Sequence, residues 1–298
     1  MVDSIVQAIC ETDHAWLTED ARSGATAVII GTLGLALAGS SCPLAGEIIA
    51  AISPRTGPST IFGGDRGVAA IDAAYLNAVA ARTPTESEET IAWLDRSAVP
   101  MVTALLSLGE ARQTDGGRLV EAVCAGLLAL DRLVAASEAV AVAGGCARML
   151  NLDADRVANA LKLAAALQPS CPVAPNPVLV SLRAGEAARA GLLAASLAAG
   201  DVISDLALAD VLPGSRVPVP PPSPSSLFGW FEHVTACVLP ADNVAILFER
   251  LETIDAAANL ADIGRLLQTG AKTPSPGSVF SRVDLAVADY LVETQWVP

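Results

Sequence analysis

Residues 60–82, TIFGGDRGVAAIDAAYLNAVAAR, decide the fold of this chain. Three glycines between positions 63 and 67 form a turn, and a run of small residues at helical spacing follows them. Alanine is the strongest helix former, and small side chains let neighbouring helices approach closely. The stretch therefore predicts a glycine turn that opens a tightly packed helix carrying Asp72 and Asn77.

The composition of the whole chain extends this prediction. Hydrophobic residues make up 52% of the 298 residues but aromatic residues only 4%, so the apolar content is mostly Ala, Leu and Val. These are small, helix-compatible side chains, and the length suffices for a sizeable core. We therefore expect an all-α fold with many helices.

Charge and cysteine spacing limit the classes of function. A formal net charge of −14 argues against nucleic acid and anionic membrane as partners, because both require a basic surface. The six cysteines are scattered and show no zinc-like spacing, so we expect no metal site and a reducing compartment. The first residues lack a basic n-region, and the apolar run 25–39 is shorter than the roughly 20 residues that span a bilayer. The sequence thus predicts a cytoplasmic protein.

A proline-rich stretch marks the main boundary along the chain. Residues 213–226, PGSRVPVPPPSPSS, contain many prolines, which have no backbone N–H donor and hold the chain extended. The stretch therefore predicts a semi-rigid linker. We therefore predict a helical domain over 1–212, this linker, and a C-terminal segment over 227–298. Within the first domain, the pattern predicts a helix over 18–38 that Gly39 ends, a short strand at 59–62, and a proline loop over 168–177.

The glycine turn and the helix with Asp72 and Asn77 resemble the MmgE/PrpD family, which includes 2-methylcitrate dehydratases and cis-aconitate decarboxylases. Three later segments resemble family helices: 99–110, VPMVTALLSLGE; 125–132, AGLLALDR; and 181–191, SLRAGEAARAG. The resemblance implies the family's multi-helix domain, its common homodimeric state, and a reduced or missing α/β lid, because only a short segment follows Leu212.

The resemblance fails at the acid–base residues of the family. Arg82, Arg96 and Arg183 stand where the family pattern has histidines, and Val180 stands at its lysine. The two histidines of the chain fall outside the family motifs. Proton abstraction next to a carboxylate needs groups that titrate near the working pH, so the ancestral dehydratase reaction is not expected.

Arg96 and Arg183 are the first catalytic candidates, because a guanidinium offers a fixed fork of donors to a carboxylate or enolate oxygen. The alternative is that each is a surface arginine paired with a nearby acid such as Asp95 or Glu186. Glu86 and Glu88 are candidates for a general base, or else belong to a solvated loop.

Four further residues are candidates for substrate binding. Arg132 keeps a residue of the family pattern, and Cys171 lies in a loop that resembles the family's substrate-facing loop. Trp230 and His233 belong to the aromatic stretch LFGWFEHV, which predicts either a pocket wall or a hydrophobic plug over the core.

Two functional hypotheses remain from the sequence. The first is a small-molecule enzyme on this scaffold that performs a cyclisation, isomerisation or elimination on a largely apolar substrate, with a place in secondary metabolism. The second is an inactive relative that serves as a binding module or as a partner subunit. Phosphate-loop, dinucleotide and nucleophile-elbow motifs are missing from the sequence, so we expect no cofactor.

Overall fold

A computed structural model gives the structure of the protein, and it describes residues 2–83, 93–133, 138–168, 176–200, 223–236 and 238–268. The helices in these ranges are α1 (Val2–Glu11), α2 (Glu19–Ser40), α3 (Pro43–Ile52), α4 (Ala70–Arg82), α5 (Val99–Arg112), α6 (Gly116–Arg132), α7 (Glu138–Met149), α8 (Ala154–Leu167), α9 (Pro177–Ala199), α10 (Pro224–Thr235), α11 (Ala241–Glu252) and α12 (Leu260–Leu267). The all-α prediction is confirmed.

The described residues also contain one small antiparallel sheet, formed by β1 (Thr56–Thr60) and β2 (Gly67–Val68). The pairing is irregular, because Val68 is the partner of both Thr56 and Ser59. The strand was predicted in this region, but it begins three residues before position 59. It holds the two ends of the glycine turn together.

Helices α5, α7 and α9 form the centre of the bundle, and α4, α6 and α8 pack around them. Close approach depends on small residues: a Cβ added at Gly145 of α7 would lie 2.8 Å from the carbonyl oxygen of Ala122 on α6. The apolar residues of this centre are mostly alanine, valine and leucine. The many small apolar residues of the sequence therefore form a core in which the helix axes lie close together.

Several helix boundaries differ from the sequence expectations. Helix α2 continues through Gly39 to Ser40, because Gly39 packs against the backbone of Ala80 on α4 instead of ending the helix. Helix α9 begins at Pro177, and Asn176 caps it by accepting a hydrogen bond from the backbone N–H of Leu179. Proline at the first helical position has no donor to lose, so the last proline of the predicted loop starts the helix.

The helices after the proline-rich stretch pack on the first part of the chain. Helix α10 begins at Pro224, with Ser223 as its cap, and it contacts α2 and α11. Helix α12 contacts α5 and β1. The C-terminal helices therefore complete the packing around the glycine turn and α2.

Helix α2 is long and apolar enough, by length and composition, to cross a membrane. Of its most apolar window, 72% is buried inside the protein. Packing in the bundle therefore accounts for its hydrophobicity.

Candidate functional site

Asn77 fixes the glycine turn to α4. Its Oδ1 accepts a hydrogen bond from the backbone N–H of Phe62 at 3.0 Å, and its Nδ2 donates to the carbonyl oxygen of Thr60 at 2.9 Å. Gly63 adopts a φ of 75°, and a Cβ there would overlap the Ser40 hydroxyl. Asn77 thus has a structural role, because its side chain satisfies buried backbone groups of the turn.

Hydrogen bonds join helix ends in two pairs, α4 with α9 and α7 with α8. The hydroxyl of Ser181, in the second turn of α9, donates to the carbonyl oxygen of Arg82 at the end of α4, over 2.8 Å. The backbone N–H of Ala139, at the start of α7, donates to Oε1 of Gln168 after α8, over 3.0 Å. The 3₁₀ turn Arg96–Ala98 contacts α5, α6 and α7. We call the end of α4, the start of α9 and the 3₁₀ turn before α5 the arginine end, because these segments carry the two arginines predicted to be catalytic.

Arg183 lies two residues after Ser181 and is half-buried. Within the described part of the chain it has no ion-pair or hydrogen-bond partner. Glu186, the acid that sequence analysis considered for it, pairs with Arg189 at 3.0 Å. An arginine with unused donors is suited to bind an oxygen anion.

Arg96 is half-buried on the 3₁₀ turn that leads into α5. Asp95 caps this turn, because its carboxylate accepts the backbone N–H of Ser97 at 3.0 Å. Arg132 is the last residue of α6 and is exposed, and its Nε lies 3.5 Å from Asp131 Oδ2. The helix ends therefore present two half-buried arginines and one surface arginine.

Three of the predicted site residues, Glu86, Glu88 and Cys171, lie outside the described residues. The first two belong to the stretch that follows the end of α4, and Cys171 belongs to the stretch between α8 and α9. Their roles stay predictions.

The aromatic residues of α10 cover α2. The ring of Trp230 lies 6.3 Å from that of Trp93 in an edge-to-face arrangement, and it packs against Gly34. Phe231 is fully buried beside it. The indole Nε1 of Trp230 is buried without a hydrogen-bond partner, whereas His233 is exposed. We call Trp230 and Phe231 the aromatic cover.

A cavity of about 70 Å³ lies beneath α3, between the glycine turn and α4. Its walls are mostly apolar, and Ser40, Gly63, Gly64 and Asn77 contribute the polar atoms. A shallow groove of about 320 Å³ lies between α10 and α11 and is lined by Phe228 and Phe248. Arg96, Arg183 and Trp230 line neither of these two cavities.

Glu110, near the end of α5, is a buried ionisable group in this part of the fold. Its Oε2 accepts a hydrogen bond from the backbone N–H of Thr60 at 2.7 Å. Burial raises the pKa of the Glu110 carboxyl to about 7, although the hydrogen bonds from Thr60 lower it. In the sequence, Glu110 is only the last residue of the segment 99–110 that resembles a family helix, because burial of a single acid cannot be inferred from one chain.

The described residues hold no group of three or more His, Cys, Asp or Glu side chains that fits a metal ion. The arginines of the arginine end are chemically suited to bind an anion.

Comparison with known proteins agrees with the fold. Residues 3–211 match the MmgE/PrpD N-terminal domain. A search of curated proteins found no significant match to the chain.

Proposed function

Because the chain belongs to the MmgE/PrpD family, through its N-terminal domain, we propose that it is a small-molecule enzyme built on this helical scaffold. The reaction is a cyclisation, isomerisation or elimination of a largely apolar substrate that carries a carbonyl or carboxylate oxygen. The substrate binds at the arginine end. The proposal includes a cytoplasmic homodimer that needs no cofactor, with a role in secondary metabolism.

The observation that carries this proposal is the state of Arg183. The residue is half-buried near the start of α9, two residues after Ser181, and it has no ion-pair or hydrogen-bond partner within the described residues. Guanidinium donors that no described protein group uses can pair with an anionic oxygen of a ligand. Arg189, six residues further along the same helix, lies at the surface and pairs with Glu186.

In this mechanism the protein acts mainly by positioning. Holding a substrate in a reactive conformation lowers a barrier by roughly 7–11 kcal/mol, and this effect needs no titratable side chain. Arg183 and Arg96 stabilise the oxygen on which negative charge develops. Glu86 or Glu88 is the proposed proton acceptor, while Arg132, Cys171, Trp230 and His233 are the proposed contacts to the rest of the substrate.

The experiment compares the wild-type chain with Arg183→Gln and with the control Arg189→Gln. Each protein is incubated with a metabolite extract of the native host, and products are followed by mass spectrometry. An isomerase or cyclase changes the retention time of a compound at constant mass, and an elimination lowers its mass. We expect a product from the wild type and the control that is lost in Arg183→Gln. A product formed equally by all three proteins would exclude the proposed role of Arg183.

A second function is favoured by the aromatic cover. Trp230 and Phe231 fill the space over α2, as a plug would, and the indole ring lies against Trp93, three residues before Arg96. A chain sealed in this way acts as an inactive binding module or as a partner subunit of a longer relative. Failure to convert any compound, together with stable association with such a relative in size-exclusion chromatography, would favour this function over the first.

A further inference from the structure

Helix α12 lies directly over the buried carboxyl of Glu110. This side chain is 4% exposed, and in the described part of the chain it has no cationic partner. A Cβ added at Gly264, in the middle of α12, would overlap Oε1 of Glu110 and would lie 2.8 Å from Oγ1 of Thr60. The backbone of α12 therefore closes off the carboxyl from water.

Apolar side chains and backbone hydrogen bonds also dock α12. Three apolar side chains, Leu260, Ile263 and Leu267, are buried. Two backbone hydrogen bonds join the helix to its surroundings: the N–H of Gly63 donates to the carbonyl oxygen of Leu267 at 2.9 Å, and the N–H of Leu260 donates to that of Thr114 at 3.0 Å. A helix of eight residues has little stability of its own, so its docking depends on these contacts and on the charge beneath it.

In the described part of the chain no charged side chain pairs with Glu110, and Asp65 and Arg66 of the glycine turn are exposed. Strand β1 has no ionisable residue. On α12, Asp262 and Arg265 are exposed and pair with each other. Arg112, on α5 itself, is exposed. Burial is the main reason that the pKa of Glu110 is raised to about 7, so this carboxyl ionises close to neutrality while α12 is docked.

We infer that protonation of Glu110 controls the docking of α12 on α5 and on the glycine turn. The neutral carboxyl is compatible with the closed arrangement. The carboxylate is solvated only when α12 moves away and water reaches it, so ionisation favours the undocked helix. Gly63 lines the 70 Å³ cavity, and its backbone N–H is hydrogen-bonded to α12. Undocking of α12 therefore also loosens one wall of that cavity.

Amide hydrogen exchange of the full chain between pH 5.5 and 8.5 tests this inference. With each rate corrected for the intrinsic effect of pH, the protection of the Gly63 and Leu260 amides reports the docking of α12. If the undocked carboxyl has its ordinary pKa, linkage predicts that the opening constant rises about 30-fold over this range. Protection of the Gly64 amide, which bonds to Ile61 within the turn, is expected to change much less.

Two variants make the test specific. Glu110→Gln keeps the shape and an acceptor but cannot ionise, so we expect the pH dependence of the two reporter amides to disappear. Glu252→Gln, an exposed residue on the neighbouring α11, is expected to keep it. In the wild type, the inference would be overturned if the protection of the Gly63 and Leu260 amides changed with pH no more than that of the Gly64 amide. This outcome can be read whether or not Glu110→Gln folds.

Discussion

The side-chain amide of Asn77 donates a hydrogen bond to the carbonyl oxygen of Thr60, 2.9 Å away, and so joins α4 to the strand before the glycine turn. The same side chain accepts a hydrogen bond from the backbone of Phe62. One buried asparagine therefore satisfies a donor and an acceptor on both sides of Ile61. These two hydrogen bonds explain why an amide side chain, which has both a donor and an acceptor, suits this position in a helix of small residues.

Replacing Asn77 with alanine is expected to destabilise the fold strongly. The change leaves the Phe62 N–H and the Thr60 carbonyl buried without partners, which costs about 2–4 kcal/mol in free energy of unfolding. Urea denaturation measures the loss. Asn243→Ala, on the exposed side of α11, is the control and should change stability by less than about 0.5 kcal/mol. A similar loss in both variants would contradict the role of Asn77.

Removal of Glu121 is expected to have an even larger effect. Its Oε2 lies 2.9 Å from Nη2 of Arg148, which is almost fully buried, and 3.0 Å from Nη1 of Arg118. Glu121→Leu leaves a buried guanidinium without its partner and should cost about 3–5 kcal/mol. Glu186→Gln breaks the exposed pair with Arg189 and should cost less than about 1 kcal/mol. Equal losses of stability for the two variants in thermal or urea unfolding would contradict the prediction that the buried ion pair contributes more than the exposed one.

The contact between Gly34 and Trp230 predicts a steric conflict that a second change relieves. A Cβ at Gly34 would lie 2.8 Å from the indole ring, so Gly34→Ala should cost about 1–3 kcal/mol. Combined with Trp230→Leu, the glycine change should cost much less than it does alone, since the smaller side chain leaves room. Additive losses in the double-mutant cycle would show that the two residues do not touch. Gly24→Ala, at an open position of the same helix, is the control.

The stability of the protein should depend on pH through Glu110. The carboxyl has a pKa of about 7 in the folded protein and 4.5 in the reference state, so the folded state binds the proton more tightly. The stability that the protonated Glu110 carboxyl contributes is fully present below pH 4.5 and is lost as the pH rises to about 7. Above that value the pH no longer changes stability through this group. The difference amounts to about 3 kcal/mol.

Urea midpoints at pH 5, 6, 7 and 8 measure this dependence. The informative quantity is the stability of the wild type minus that of Glu110→Gln, because all other groups titrate equally in both proteins. We expect this difference to fall with increasing pH. A difference that is constant or that rises with pH would contradict the raised pKa.

Much of the fold could be predicted from the sequence because local preferences agree with it. The alanine-rich periodic segments became helices, and the glycine turn lies where residues 63–67 placed it. Gly39 shows the limit of such reasoning. A glycine after an apolar helix usually indicates its end, but here a neighbouring helix needs the space, and the helix continues.

The site was less accessible to prediction. The family pattern made Arg96 and Arg183 candidates; the structure places Arg96 on the 3₁₀ turn before α5 and Arg183 near the start of α9, and their catalytic role stays a prediction. The sequence could not show that Glu186 pairs with Arg189 and leaves Arg183 without a partner among the described residues. Trp93 was missed because a single tryptophan shows no pattern, and its contact with Trp230 joins residues far apart in the chain.

The sequence by itself determined the helical class and the family, because small residues at helical spacing and a glycine turn act over a few neighbouring positions. Only the tertiary structure decided which ionisable groups are buried and which are paired. Glu110 and Glu186 are chemically the same residue, yet one lies under α12 in an apolar environment and the other faces solvent beside Arg189. Desolvation and ion pairing depend on contacts between distant segments, so they arise only when the helices pack.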